Sequence, residues 1–150
     1  MIVISNQAAV GKGLLDPPSL EEITARMRQA LLSDGVFLNA AYYCTHRSDD
    51  DCLCRKPKPG LLLRAAHDFN VDLSRSIFIG DSDTDLQAAQ AAGCGQVLFG
   101  RGISERSDSL DSMMNIHVAR TAKELFRVAV KCLDDRSRVA SNGHVFRDQC

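Results

Sequence analysis

Residues 44–60 read CTHRSDDDCLCRKPKPG, in which Cys44-x-His46 and Cys52-x-Cys54 set four soft or borderline metal ligands in two close pairs. Thiolates and imidazole at such spacing suit a closed tetrahedral zinc site. With all four positions filled by protein, none is left for a reacting water. The predicted role is therefore structural, an ion that holds a long loop in one shape. A local disulfide fits less well, because Cys-x-Cys is a poor geometry for a bridge. A chance gathering is the other alternative, but a polar loop has little packing use for three thiols. Cys94, Cys132 and Cys150, like His67, His117 and His144, have no partners at a recognisable spacing. Packing is the expectation for these, or a terminal thiol in the case of Cys150.

Arg55 and Lys56 follow the second cysteine pair directly, with Pro57 and Pro59 close behind. A loop pinned by metal and stiffened by proline presents two cations in fixed directions. One is a planar fork that matches phosphate or carboxylate, the other a compact charge. Standing alone, the run would read as a solvated basic loop. It has company. FIGDSDTD sets Gly80, Asp81, Ser82, Asp83 and Asp85 after one apolar run and at the start of a helical one. Carboxylates gathered at the carboxyl end of a strand repel one another unless a hard cation such as Mg²⁺ shares them. Helix capping accounts for one or two of these acids, not for the whole group. ISNQ places Ser5, Asn6 and Gln7 where a first strand finishes. Their hydroxyl and amides could hydrogen-bond a phosphate and its sugar.

Positioning these groups requires alternating strands and helices. IVIS (2–5) reads as a strand and the polar NQAAVGKG as a loop. A helix over roughly 19–33 follows, with a Ser cap, a Glu close behind and a terminal Gly. AAYYC (40–44) is the next strand, PGLLLRAAHDFN a helix to about Asn70, and SIFIG (76–80) a third strand. DTDLQAAQAAG is a helix with acids in its first turn and Gly at its end, which suits the helix dipole. GQVLFG and NIHVA are strands, and TAKELFRVAVKCLD is a last amphipathic helix. This alternation argues for an α/β protein with a parallel sheet covered by helices on both faces.

At 150 residues the chain suits one domain, expected as a core over 1–135 with a polar tail over 136–150. A net charge of -1 leaves no electrostatic footprint for nucleic acid or an anionic membrane. No run approaches the roughly 20 apolar residues that span a bilayer. MIVISNQ lacks the basic-then-apolar pattern of a signal peptide. A cytoplasmic, reducing compartment is expected, where six cysteines are thiols or metal ligands rather than disulfides. AAVGKG is no nucleotide loop, since it lacks the upstream Gly and the Ser or Thr after Lys.

Taken in order, strand-Ser-Asn-Gln, Cys-x-His…Cys-x-Cys-Arg-Lys-Pro and Gly-Asp-x-x-x-Asp carry a resemblance. From about Ile2 to about Leu133 the chain resembles the haloacid dehalogenase (HAD) phosphohydrolases. Within them it is most similar to the zinc-containing branch that holds heptose bisphosphate and histidinol-phosphate phosphatases. The resemblance implies a Rossmann-like three-layer fold and a sugar-phosphate phosphatase of carbohydrate metabolism, using Mg²⁺ and Zn²⁺. D-glycero-D-manno-heptose 1,7-bisphosphate is the first substrate it suggests and histidinol phosphate the second. Ser5 would then hydrogen-bond the transferring phosphoryl group, with Asn6 and Gln7 lining the substrate pocket. Lys56 would neutralise phosphoryl charge and orient the nucleophile, and Arg55 would recognise the sugar phosphate. Asp81 would bind Mg²⁺. Ser82 stands where some relatives carry a basic residue, and Asp85 would hold the loop and Lys56 in place. Such roles suit phosphoryl transfer, where catalysis is mostly positioning and charge stabilisation.

One departure matters. Members of the family begin with a strand ending in Asp-x-Asp-Gly-Thr, whose first Asp attacks phosphorus and whose second acts as acid and base. The 150 residues contain no such segment. In the family that strand is the central one, between the strands of Ile2 and Phe78. The expectation is a sheet missing its central strand, with unpaired amide and carbonyl edges, in an N-terminally truncated fragment inactive as it stands. Two readings follow. One is a phosphatase whose first strand lies upstream of Met1. The other is a non-catalytic, zinc-stabilised module that binds a phosphorylated ligand or a partner chain, including a partner that completes the sheet with a strand.

Overall fold

The β-branched run at the start of the chain forms β1 (Ile2–Asn6), and its parallel neighbour is β2 (Ala40–Cys44). Their register sets Ile2 opposite Ala40 and Asn6 opposite Cys44. The end of β1 and the start of the cysteine loop are thereby level, and the Gln7 N–H extends the pairing by donating to the Cys44 carbonyl at 2.7 Å. The structure, a computed structural model, describes residues 1–100 and 115–142, with side chains as far as Arg136. His144 and Cys150 lie outside the described residues. The chain divides into two compact units, Met1–Asn70 and Val71–Cys150.

In the first unit, β1 passes into a short helix, α1 (Ala8–Gly11), where a plain loop is expected from the sequence. Next comes α2 (Pro17–Ser33), which begins two residues ahead of its expected start. The cap is Asp16, whose Oδ1 accepts from the Ser19 N–H at 2.7 Å, and not the serine itself. Pro17 and Pro18 take the first helical positions, where a missing N–H costs nothing and φ is already helical. Thr24 of α2 and Tyr43 of β2 share a hydroxyl–hydroxyl bond of 2.8 Å. A third helix, α3 (Gly60–Phe69), ends on Asn70 in the left-handed conformation at φ 51°. It is tied to β2 by Tyr42, whose hydroxyl donates to Asp68 at 2.7 Å.

The second unit holds a 3₁₀ turn (Leu73–Arg75), β3 (Ile77–Gly80), α4 (Asp83–Ala92), β4 (Gly95–Phe99), β5 (Ile116–Ala119) and α5 (Ala122–Asn142). The sheet is parallel throughout, in the order β3-β4-β5. Side chains alternate across a strand, so each face of β4 can be assigned. Leu98 packs with Leu86 of α4 and Ile116 and Val118 of β5. On the opposite face Gly95 lies under α5: a Cβ there would stand 2.7 Å from Cys132 Sγ. Helices thus cover both faces of this sheet. Cys94 and Cys132 are buried, and burial pushes the Cys94 thiol up to about 11.

α5 continues to Asn142, into the stretch read from sequence as a polar tail. No Gly or Pro interrupts residues 134–142. Arg136 also gives that part of the helix a tertiary anchor, donating to the carbonyls of Ser74 at 2.7 Å, Leu73 and Gly93. Among the described residues the five strands form two sheets, not one. β1 pairs only with β2 and β3 only with β4, which leaves each with one edge that no described strand covers. No described helix is long and apolar enough to cross a membrane.

Candidate functional site

The four ligands foreseen from spacing come together. Cys44 is fixed as the last residue of β2, buried, and the loop beyond it returns Cys52 and Cys54 to the same point. Cys44 Sγ lies 3.5 Å from Cys52 Sγ, 3.4 Å from Cys54 Sγ and 3.7 Å from His46 Nδ1. Cys54 Sγ lies 3.5 Å from Cys52 Sγ and 3.3 Å from His46 Nδ1. Ligands about 2.3 Å from one central ion define a tetrahedron with edges of about 3.8 Å. These five edges are close to that, and all four donor atoms lie within 4.8 Å of one another, so the donor set fits a tetrahedrally bound metal ion. Burial, followed by hydrogen bonding to the thiols of Cys44 and Cys52, pushes the Cys54 thiol up to about 12. Three sulfurs this close cannot all ionise unless a cation shares their charge.

The rest of the loop is self-contained. Arg47 bonds Asp49 at 3.2 Å and gives its backbone N–H to Asp50 at 2.7 Å, while Lys58 bonds Asp51 at 2.5 Å. The three consecutive aspartates are thus engaged by neighbours within the loop. Gly60, which opens α3, is where the loop presses on the helix: a Cβ there would lie 2.3 Å from the Leu53 carbonyl oxygen. Gly60→Ala should push the Leu53–Cys54 backbone away from the metal position. Overpacking of this kind costs about 1–3 kcal/mol, which corresponds to a loss of metal affinity of about ten- to hundred-fold. Competition with a chelator of known affinity measures it, and an unchanged affinity would contradict this reading of the contact.

Ser5, Asn6, Gln7 and Lys56 also meet, at the carboxyl end of β1. Lys56 Nζ donates to the Ile4 carbonyl at 3.2 Å. Gln7 Nε2 donates to Ser5 Oγ at 3.1 Å, which leaves the serine's own proton able to point elsewhere. Both the nitrogen and the oxygen of the Asn6 side-chain amide engage the main chain of Lys56. Arg55 Nη1 is buried without a hydrogen-bond partner among the described residues. A guanidinium N–H in that state favours an anionic acceptor.

In the second unit Asp81, Ser82 and Asp85 follow β3. Asp85 is 4% exposed, and its Oδ2 accepts from the Asp81 N–H at 3.1 Å, the Ser82 N–H at 3.1 Å and the Ser82 hydroxyl at 2.7 Å. An acid three residues into a helix that reaches back to the capping residue is one half of a capping box. Gly80 permits this arrangement, since a Cβ there would fall 2.2 Å from Asp85 Cβ. Asp81 is left at the surface of the turn, with its backbone held by Asp85. The sequence names Gly80 beside the acids and Gly60 in a Pro-Gly helix start, but gives neither a packing role. Their signal is only a Pro-Gly at a helix start and a Gly before an acid, and neither says what lies against the missing side chain.

A family model described as HAD-hydrolase-like matches residues 53–125. The D-glycero-beta-D-manno-heptose-1,7-bisphosphate 7-phosphatase of Pseudomonas aeruginosa is 42% identical over 103 residues, covering 67% of this chain and 58% of that protein. The enzyme of the same name from Vibrio cholerae is 29% identical over 138 residues, covering 85% of this chain and 74% of that one. The crystal structure of D,D-heptose 1,7-bisphosphate phosphatase from Bordetella bronchiseptica, complexed with magnesium and phosphate, superposes with a TM-score of 0.65. Its identity is 27%, and the match covers 95% of this chain and 74% of that one. Against the first of these relatives the chain spans less than two thirds of the other protein's length, 58%. The parallel α/β architecture, the matched family model and the superposed crystal structure agree on one likeness: the chain is similar to the HAD-like hydrolases.

Proposed function

We propose that the chain is part of a sugar-phosphate phosphatase, with D-glycero-D-manno-heptose 1,7-bisphosphate as substrate and the 7-phosphate as the phosphoryl group transferred. The observation that carries the reading is the placement of Lys56, whose ammonium is held at the end of β1, one residue from Ser5. A phosphoryl oxygen beside Ser5 would meet a hydroxyl donor and a cation that needs little reorganisation. Arg55, with a buried N–H in want of an acceptor, would take the sugar phosphate, and Gln7 would orient Ser5. Asp81 would hold Mg²⁺, a hard cation suited to carboxylate oxygen, with Ser82 beside it and Asp85 bracing the turn. Zinc is the ion proposed for Cys44, His46, Cys52 and Cys54, because three thiolates and an imidazole in a tetrahedron match its preferences. Histidinol phosphate is the alternative substrate.

A second reading is favoured by one fact, the absence of Asp-x-Asp-Gly-Thr from the 150 residues. On that reading they bind a phosphorylated small molecule without turning it over, or take a strand from a partner chain. A compartment that keeps thiols reduced, such as the cytoplasm, suits either reading. Calorimetric titration with the heptose bisphosphate tests the binding claim. Lys56→Ala and Arg55→Ala should each weaken binding by about ten- to hundred-fold, the worth of a charge-assisted hydrogen bond. Equal affinity in the parent and both variants would refute the site.

A further inference from the structure

The side chain of Asn6 makes a two-way bridge to a residue far along the chain. Asn6 Nδ2 donates to the Lys56 carbonyl at 3.1 Å, and the Lys56 N–H donates to Asn6 Oδ1 at 3.1 Å. One primary amide thus does what a neighbouring strand would do, offering a donor and an acceptor side by side. The opposite orientation of the amide would set donor against donor and acceptor against acceptor. Lys56 is also held at its other end, where Nζ donates to the Ile4 carbonyl at 3.2 Å. The backbone and the ammonium of Lys56 are therefore attached to β1 on either side of Ser5.

The metal cluster does not by itself place Lys56. Its last ligand is Cys54, and two residues' worth of backbone rotation separate that anchor from Lys56. We infer that Asn6 is a positioning residue for Lys56: its amide fixes the Lys56 main chain so that the ammonium is presented beside Ser5, and it does so independently of the metal. This rests on the proposal that Ser5 and Lys56 receive a phosphoryl group. Asn alone suits the task. Asp keeps the acceptor for the Lys56 N–H but cannot donate to its carbonyl, and Gln carries the same groups one methylene too far out.

The test uses the metal-loaded 150-residue chain, read residue by residue through backbone amide exchange in NMR, with inorganic phosphate as the ligand probe. In Asn6→Ala the Lys56 amide should exchange about ten-fold faster or more, while the β1 amides keep parental protection and the metal content is unchanged. Asn6→Asp should fall between the parent and the alanine variant, because its carboxylate still accepts the Lys56 N–H. Phosphate affinity should fall in Asn6→Ala, and at least as far in Asn6→Asp, whose new carboxylate also repels the anion. In the parent, stripping the metal should expose the amides of residues 52–54 and leave that of Lys56 protected. Unchanged Lys56 exchange in Asn6→Ala would overturn the inference, and so would loss of Lys56 protection on metal removal alone. If the parent binds no phosphate, the proposed role of Ser5 and Lys56 fails, and amide exchange alone then decides what Asn6 does.

Discussion

Replacing Cys52 and Cys54 together by serine is expected to empty the metal position. Elemental analysis of the purified protein should read about one zinc per chain in the parent and essentially none in the double variant. Two of the four donors would become hydroxyls that do not ionise near neutral pH, while Cys44 and His46 alone offer half a tetrahedron. Binding of a structural zinc is worth about 10–16 kcal/mol in small zinc-dependent folds, and that binding energy is folding energy. The loop over residues 44–54 should therefore lose its shape in the double variant and on chelation. Acid should act in the same direction, because thiolates and imidazole must be deprotonated to bind, so metal is retained at neutral pH and released as pH falls. Zinc retained at full stoichiometry by the double variant would refute the assignment.

The second large effect is an absence of turnover. The 150-residue chain should release no phosphate from the heptose bisphosphate, even with saturating substrate and Mg²⁺. Ser5 and Lys56 are the groups proposed to gather and neutralise a phosphoryl group, but transfer still needs an attacking carboxylate and a proton donor. The carboxylates after β3 have other work. Asp85 is committed to three donors in its own turn, and Asp81 is the proposed metal ligand. Phosphate release by this chain, free of contaminating phosphatase and lost in Lys56→Ala, would mean that another residue attacks phosphorus.

What could be read in advance was what is local in the chain. The Cys/His cluster that could hold a metal ion declares itself by residue type over eleven positions, and each strand by a short apolar or β-branched run. The ends of elements were less legible where two rules compete. Ser19 has the look of a cap, yet Asp16 followed by two prolines makes the better helix start. α5 passes residue 136 because Arg136 finds carbonyls in the 3₁₀ turn and at the end of α4, contacts that no periodicity encodes. The bridge from Asn6 to Lys56 was invisible for the same reason, since Asn beside Ser reads equally well as a ligand for substrate. The division of the strands into two sheets is the outcome that the family resemblance implies, since the strand missing from these residues would stand between those of Ile2 and Phe78; the composition of β1 and β3 by itself carries no trace of it.

The most direct test of the phosphatase proposal is phosphate release from D-glycero-D-manno-heptose 1,7-bisphosphate by this chain with an Asp-x-Asp-Gly-Thr strand joined ahead of Met1, in the presence of Mg²⁺. The account predicts release of the 7-phosphate by the extended chain and none by the 150 residues alone. It also predicts a loss of about a hundred- to thousand-fold in the extended chain on Lys56→Ala, the range for removing one preorganised electrostatic contact. An extended chain that folds, holds its zinc and binds the sugar bisphosphate, yet releases no phosphate, would contradict it.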